Sequence, residues 1–215
     1  MKLFFKRKKK IDIDSENFVE FPKNKHLKIK IKGKNNRVII PQTVSSCNIN
    51  ISIYGNNNTV MINSNCNLHI VVKIGVEDSL CQNAHFEIGE GTAINDAHFM
   101  LLENDSSITI GKDCMFSCNI EVWCSDTHSI CDKEGHLLNI GQKIEIGNHV
   151  WIGKDCHITK NTKISDNSIV GWCSNVTKKF EESNVIIAGN PAQIVKRGIN
   201  WRKERPQKLI DEGIL

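Results

Sequence analysis

No proline stands between Pro41 and Pro191 in this chain of 215 residues. Proline cannot donate to a β-ladder and is kept out of central strands, so the gap permits one uninterrupted ladder through most of the sequence. No apolar run approaches the roughly 18–20 residues that a spanning helix needs. The amino-terminal Met1-Lys-Leu-Phe-Phe-Lys-Arg-Lys-Lys-Lys10 is charged, but its apolar stretch is too short for a signal peptide. No linker divides the chain, and its length suits a single sizeable core. The nine cysteines lack the C-x2-C pairs of zinc sites: Cys114, Cys118, Cys124 and Cys131 are separated by three, five and six residues. An odd count without an export signal predicts reduced thiols and a cytoplasmic protein, with no metal. Net charge is only +4, much of it in the basic arm, and no nucleic-acid partner is predicted.

What is present is a period of six. From Ile146 the chain reads Ile146-Gly-Asn-His-Val-Trp, Ile152-Gly-Lys-Asp-Cys-His, Ile158-Thr-Lys-Asn-Thr-Lys, Ile164-Ser-Asp-Asn-Ser-Ile, Val170-Gly-Trp-Cys-Ser-Asn, Val176-Thr. Every first position is a β-branched aliphatic, and no fifth position is bulkier than Val. Such hexads build parallel β-helices, whose rungs must stack to bury their apolar faces. Ile88-Gly-Glu-Gly-Thr-Ala and Ile110-Gly-Lys-Asp-Cys-Met repeat the signature upstream. Ile29-Lys-Ile-Lys-Gly33 and Ile51-Ser-Ile-Tyr-Gly55 echo each other at a spacing of 22 and run into asparagine clusters. Asn35, Asn36, Asn56, Asn57 and Asn58 read as turn formers rather than sugar ligands. Cys114 and Cys156 fall on the fifth position as compact apolar fillers.

The predicted organisation is all-β. It comprises a basic arm (1–26), irregular coils (27–87), regular hexapeptide coils (88–177) and a C-terminal extension (178–215) with a short helical tail. Two readings of the arm compete: a solvated basic segment, or weak attachment to an anionic membrane surface with Leu3, Phe4 and Phe5 as wedge. Between Val122 and Ile146 the period breaks, and an excursion loop (123–145) is predicted there. Loops thrown from a solenoid corner commonly carry chemistry. Within it, Asp126 stands two residues before His128, a pairing that suits a general base oriented by a carboxylate.

Three segments carry a family resemblance: Ser125-Asp-Thr-His-Ser-Ile130, Ile146-Gly-Asn-His-Val-Trp-Ile-Gly153, and Val176-Thr-Lys with Val185-Ile-Ile-Ala-Gly-Asn-Pro-Ala192. The chain resembles the hexapeptide-repeat O-acetyltransferases over roughly residues 86–198. These are left-handed parallel β-helix trimers that move an acetyl group from acetyl-coenzyme A to sugars. It is most similar to those acting on capsule, including polysialic acid, and on lipopolysaccharide. The resemblance implies that His128 takes the proton of the acceptor hydroxyl, that Asp126 is a candidate to orient it, and that Trp151 packs beside the thioester. Simple packing between coils is the competing reading of Trp151. His149 and His157 are expected to face outward without a catalytic role.

By the same resemblance, the coenzyme follows the last coils between two subunits. Gly153, Gly171 and Ser174 would permit close approach, and Lys178, Lys196 and Arg197 would meet its phosphates and adenine end. Trp172 departs from the family's small residue at this point, and either reshapes the groove or stacks on the coenzyme. The implied partners are further copies of the chain, as a trimer or paired trimers, and a glycan acceptor. Two rival classes are a γ-carbonic-anhydrase-like metal lyase and a noncatalytic glycan-binding or structural solenoid. The eight histidines lack the close pair that the lyase needs. The solenoid has no use for Asp126, His128, Trp151 and a basic ending together.

Overall fold

The computed structural model describes residues 10–23 and 26–214, with Lys10, Ser46 and Cys47 described as backbone only. Residues 1–9 of the basic arm lie outside the described residues. The chain winds into a left-handed parallel β-helix, each coil crossing three faces. In the regular coils the first face carries Met115–Phe116, Trp151–Ile152, Ile169–Val170 and Val185–Gly189. The second carries Ile120–Trp123, His157–Thr159 and Asn175–Val176. The third carries Ser107–Ile110, Lys143–Ile146, Thr162–Ile164 and Lys179–Phe180, the last four of eight stacked strands. In the earlier coils the first two faces merge into long strands, His26–Lys32, Ser45–Asn56, Asn67–Ile74 and Ala93–Leu101.

The hexad explains these coils position by position. Ile146, Ile152, Ile158, Ile164, Val170 and Val176 all point inward, 0–3% exposed. Burying each such side chain contributes about 1.5–3 kcal/mol. The fourth positions turn the corners in the left-handed region: His149 (φ 53°), Asp155 (58°), Asn161 (59°), Asn167 (57°) and Cys173 (57°). Asn and Asp tolerate that conformation better than most residues, which is why they recur there. The fifth positions Val150, Cys156, Thr162, Ser168 and Ser174 are buried at the corners.

The thiols at these corners are more than fillers. Cys66 Sγ donates to the Gly89 carbonyl at 3.2 Å, Cys114 to Gly147 at 3.1 Å and Cys156 to Gly171 at 3.1 Å. Thr92 Oγ1 does the same to Gly111 at 2.9 Å. Burial pushes Cys114 up to about 11 and Cys124 up to about 12, so these thiols stay protonated and inert. All described cysteines are free.

The asparagines are engaged internally. Asn35 (φ 56°) and Asn57 (φ 59°) turn corners, while Asn36 and Asn58 are buried. Asn58 Nδ2 donates to Asn36 Oδ1 at 2.9 Å, and Asn36 Nδ2 donates to Asn17 Oδ1 at 2.9 Å. Asn56 Oδ1 accepts Lys34 N at 2.9 Å. This stack satisfies backbone groups where coils bend, as buried polar groups must be satisfied.

Two boundaries differ from the sequence expectation. The ladder starts before residue 27, because Lys10–Ile13 pairs in parallel with Lys28–Ile31, and Phe18–Glu20 pairs with Arg37–Ile39. Ile11 and Ile13 alternate with Asp12 and Asp14, a strand pattern hidden beside the basic run. At the other end the coils continue past 177 to Val185–Gly189. Ala192–Arg197 then folds back antiparallel on that strand and covers the edge of the last rung. The tail ends in the helix Pro206–Asp211, with proline in its first turn. Among the described residues no helix is long and apolar enough to cross a membrane.

Candidate active site

The excursion leaves the corner between the second and third faces, after Ile120–Trp123 and before Lys143–Ile146. It folds as a small hairpin. Leu138 N donates to the Ile130 carbonyl at 2.8 Å, and Cys131 bridges Leu137 antiparallel. Asp132 caps the tip, its Oδ1 accepting His136 N at 2.8 Å and its Oδ2 lying 2.9 Å from His136 Nδ1. The His136 amide and ring hold the Asp132 carboxyl below its ordinary value. Asn161, from the next coil, fastens the return limb by donating to the Ile140 carbonyl at 3.1 Å and accepting Gln142 N at 3.0 Å.

His128 sits on the outgoing limb, exposed, and among the described residues its ring has no hydrogen-bond partner. The expected carboxylate–imidazole pair does not form within the chain. Asp126 Oδ2 instead receives the Lys160 ammonium and, at 2.8 Å, Asn139 Nδ2. Lys160 first and Asn139 second hold the Asp126 carboxyl below its ordinary value. This contribution is therefore complete above the ordinary aspartate range, and it is lost only as pH falls through the lower folded value. With Asp126 32% exposed, screening keeps it modest. On the other side of the limb, Ser125 Oγ donates to Glu103 Oε1 at 2.8 Å and accepts Thr127 N at 2.8 Å. Glu103 Oε2 is buried there without a partner.

Trp151 lies half-buried on the outer side of the first face, in one ladder with Met115 and Ile169. Trp201 from the C-terminal extension packs against it, ring centroids 6.0 Å apart. Trp201 also stacks flat on His149, at 4.2 Å and 7°, and its Nε1 donates to the His149 carbonyl at 2.8 Å. His149, expected to face outward, is thus half-buried as a platform for the returning tail. Sequence reasoning missed Trp201, since a lone tryptophan beyond the period has no register to place it.

The expected coenzyme residues separate into groups. Gly153, Gly171, Trp172 and Ser174 occupy successive turns at the corner between the first and second faces, one step from Trp151. Trp172 covers Gly153, its Cδ1 2.5 Å from where a Cβ would stand, and remains 67% exposed. Ser174 is buried, donating to the Gly171 carbonyl at 2.6 Å and accepting Gly189 N at 3.1 Å. Lys178 Nζ bonds Gln193 Oε1 at 2.6 Å. Arg197 pairs with Glu182 at 3.1 Å, with Lys196 beside it on the capping strand.

Topology keeps the two halves of the candidate site apart. In a three-sided prism, the corner between the second and third faces lies opposite the first face. His128 leaves from that corner and Trp151 stands on that face, so one chain alone does not bring them together.

Hexapeptide corners, a parallel helix and a histidine-bearing excursion define the class of hexapeptide-repeat transferases. No family model matches the chain. The polysialic acid O-acetyltransferase of Neisseria meningitidis is 33% identical over 134 residues, which cover 54% of this chain and 62% of that protein. The match thus spans less than two thirds of that relative. The solved polysialic acid O-acetyltransferase OatWY is 30% identical, with a TM-score of 0.77, over 96% of this chain and 94% of its own. The polySia-specific acetyltransferase NeuO is 28% identical, with a TM-score of 0.83, over 94% of this chain and 92% of its own. The chain belongs to the hexapeptide-repeat O-acetyltransferase family.

Proposed function

We propose that this protein transfers the acetyl group of acetyl-coenzyme A to a sugar hydroxyl of a bacterial surface glycan, with His128 as general base. The acceptor class is an acidic capsule such as polysialic acid, or lipopolysaccharide. The observation that carries the reading is likeness over nearly the whole chain, in sequence and in fold, to two acetyltransferases of polysialic acid. The chemistry follows from the residues. The neutral His128 imidazole removes the acceptor hydroxyl proton as its oxygen attacks the thioester carbonyl. The tetrahedral intermediate collapses, the C–S bond breaks, and the departing thiolate takes the proton back from the imidazolium. Trp151 positions acetyl donor and acceptor. Asp126 holds the His128 limb rather than the ring.

The coenzyme runs along the corner of Gly153, Gly171 and Trp172, with Lys178, Lys196 and Arg197 supplying positive charge beyond it. Trp172, exposed and lying over Gly153 at that corner, is suited to stack on an aromatic base. Because His128 and Trp151 lie on opposite sides of one prism, a complete site takes the loop of one copy and the first face of the next. Such a heterologous contact closes into a ring, and a trimer is the working unit. The enzyme acts where acetyl-coenzyme A is made, in the cytoplasm, with the basic arm as a weak contact to the membrane's inner face.

The test is thioester consumption against a panel of surface glycans, polysialic acid included. Release of free coenzyme A should require both protein and glycan, and should leave a base-labile ester on the sugar. An alkali-stable amide product, or no glycan-dependent release, overturns the reading. Sedimentation should give a trimer or a pair of trimers, and a stable, fully active monomer defeats the composite site.

A further inference from the structure

Asn139 is tied to both sides of His128. Its Nδ2 donates to the His128 carbonyl at 2.8 Å and to Asp126 Oδ2 at 2.8 Å, while its Oδ1 accepts Ile130 N at 2.8 Å. Two acceptors on one side and a donor on the other fix the orientation of the amide by chemistry, since a flipped group would set its oxygen against a carboxylate and a carbonyl. Lys160 rises from the next coil and meets the same Asp126 oxygen, its side chain 19% exposed. Glu103, Ser125 and Thr127 (φ 65°) brace the limb just before. The backbone is therefore held before, at and after His128, while the ring is left free for substrate.

We propose that Asn139 and Lys160 are positioning residues for His128, acting through its backbone by way of Asp126. The inference rests on the proposed role of His128 as base. It assigns the orienting work to a return-limb amide and a coil lysine rather than to a carboxylate on the ring. A base displaced by an ångström loses about 100-fold in rate, so the effect should appear in turnover and not in coenzyme affinity.

The experiment measures transfer from acetyl-coenzyme A to polysialic acid for Asn139→Ala, Asn139→Asp, Lys160→Met, Lys160→Arg, His128→Ala and the double variant His128→Ala/Asn139→Ala, with melting midpoints alongside. Asn139→Ala and Lys160→Met should lower kcat by about 10- to 100-fold, with acetyl-coenzyme A KM unchanged and melting nearly unchanged. Lys160→Arg should retain most activity. Asn139→Asp sets a second carboxylate against Asp126, so its deficit relative to wild type should shrink as pH falls and one of the two is protonated. The double variant should be no worse than His128→Ala alone, because Asn139 acts only through that base. Wild-type kcat in Asn139→Ala, or full additivity in the double variant, overturns the proposal. So does a loss of kcat that tracks a loss of melting midpoint across the series, which marks a merely structural turn. An active His128→Ala would instead sink the base assignment itself, and the two failures are thereby separated.

Discussion

Replacing His128 with alanine is expected to lower turnover by about two to four orders of magnitude while leaving acetyl-coenzyme A affinity nearly intact. The size follows from what a positioned base contributes, and the split follows from the geometry. In the proposed composite site His128 meets the acceptor hydroxyl, while the neighbouring copy's corner of Gly153, Gly171 and Trp172 holds the coenzyme. His157→Ala is the control, because that ring is exposed on the second face. His149 is unsuited to that role, since it carries Trp201. Trp151→Ala should impair turnover with a change in KM for donor or acceptor, as expected of a positioning group. Co-expression of His128→Ala chains with Trp151→Ala chains gives a sharper result. If each site takes its base from one copy and its tryptophan from the next, random mixing leaves about a quarter of sites intact. Recovery to roughly that level supports the composite site. No recovery places both residues in one chain's site and contradicts the prism argument. Full activity in His128→Ala removes the base from the excursion altogether.

The regular coils were legible in the sequence because one physical rule repeats there. An inward β-branched residue every six positions and a small fifth residue are demanded by a narrow prism, and Ile146 through Val176 obey both. The early coils were harder to read, since longer strands make the period irregular, and Ile11 and Ile13 were masked by the lysines before them. Stacked Asn36 and Asn58 read correctly as turn residues, yet their burial and mutual bonding depend on register between coils, which no local pattern reveals. The candidate site divides in the same way. His128 stood out because it interrupts a period. Lys160 was reachable by counting, since Trp123 pairs with Thr159 and the next residue must therefore lie beside the loop stem. Asn139 had no such signal, as its partners are set by the fold of an irregular hairpin. The carboxylate–imidazole pair was inferred from proximity in sequence, and a cation from the next coil outcompeted the ring for Asp126.

Replacing Ile158 with aspartate is expected to yield insoluble protein. Ile158 is 1% exposed and stacks between Val122 of the coil above and Val176 of the coil below. A carboxylate there meets aliphatic neighbours in both directions. The polar side chains buried in the coils from Ile146 to Val176, Thr162, Ser168 and Ser174, each bond a backbone carbonyl at a corner. The new aspartate, in mid-strand, has no such recourse. Leaving a charge unpaired in that interior costs several kcal/mol, which is a large share of the about 5–15 kcal/mol that holds a typical domain together. Ile164→Asp, in the ladder between Ile146 and Phe180, should fail in the same way. Ile158→Val keeps the apolar contact and loses one methylene, so it should fold with a loss of about 0.5–1.5 kcal/mol. The two variants together separate polarity from volume. Burial must also raise the folded-state pKa of the introduced aspartate above its unfolded value. Its penalty is therefore full above that folded value and relieved as pH falls toward the unfolded one, so soluble refolding yield should improve in acid for Ile158→Asp alone. Wild-type solubility and melting in Ile158→Asp at neutral pH would mean that position 158 faces solvent, and the six-residue register that places every corner and ladder of this protein would be wrong.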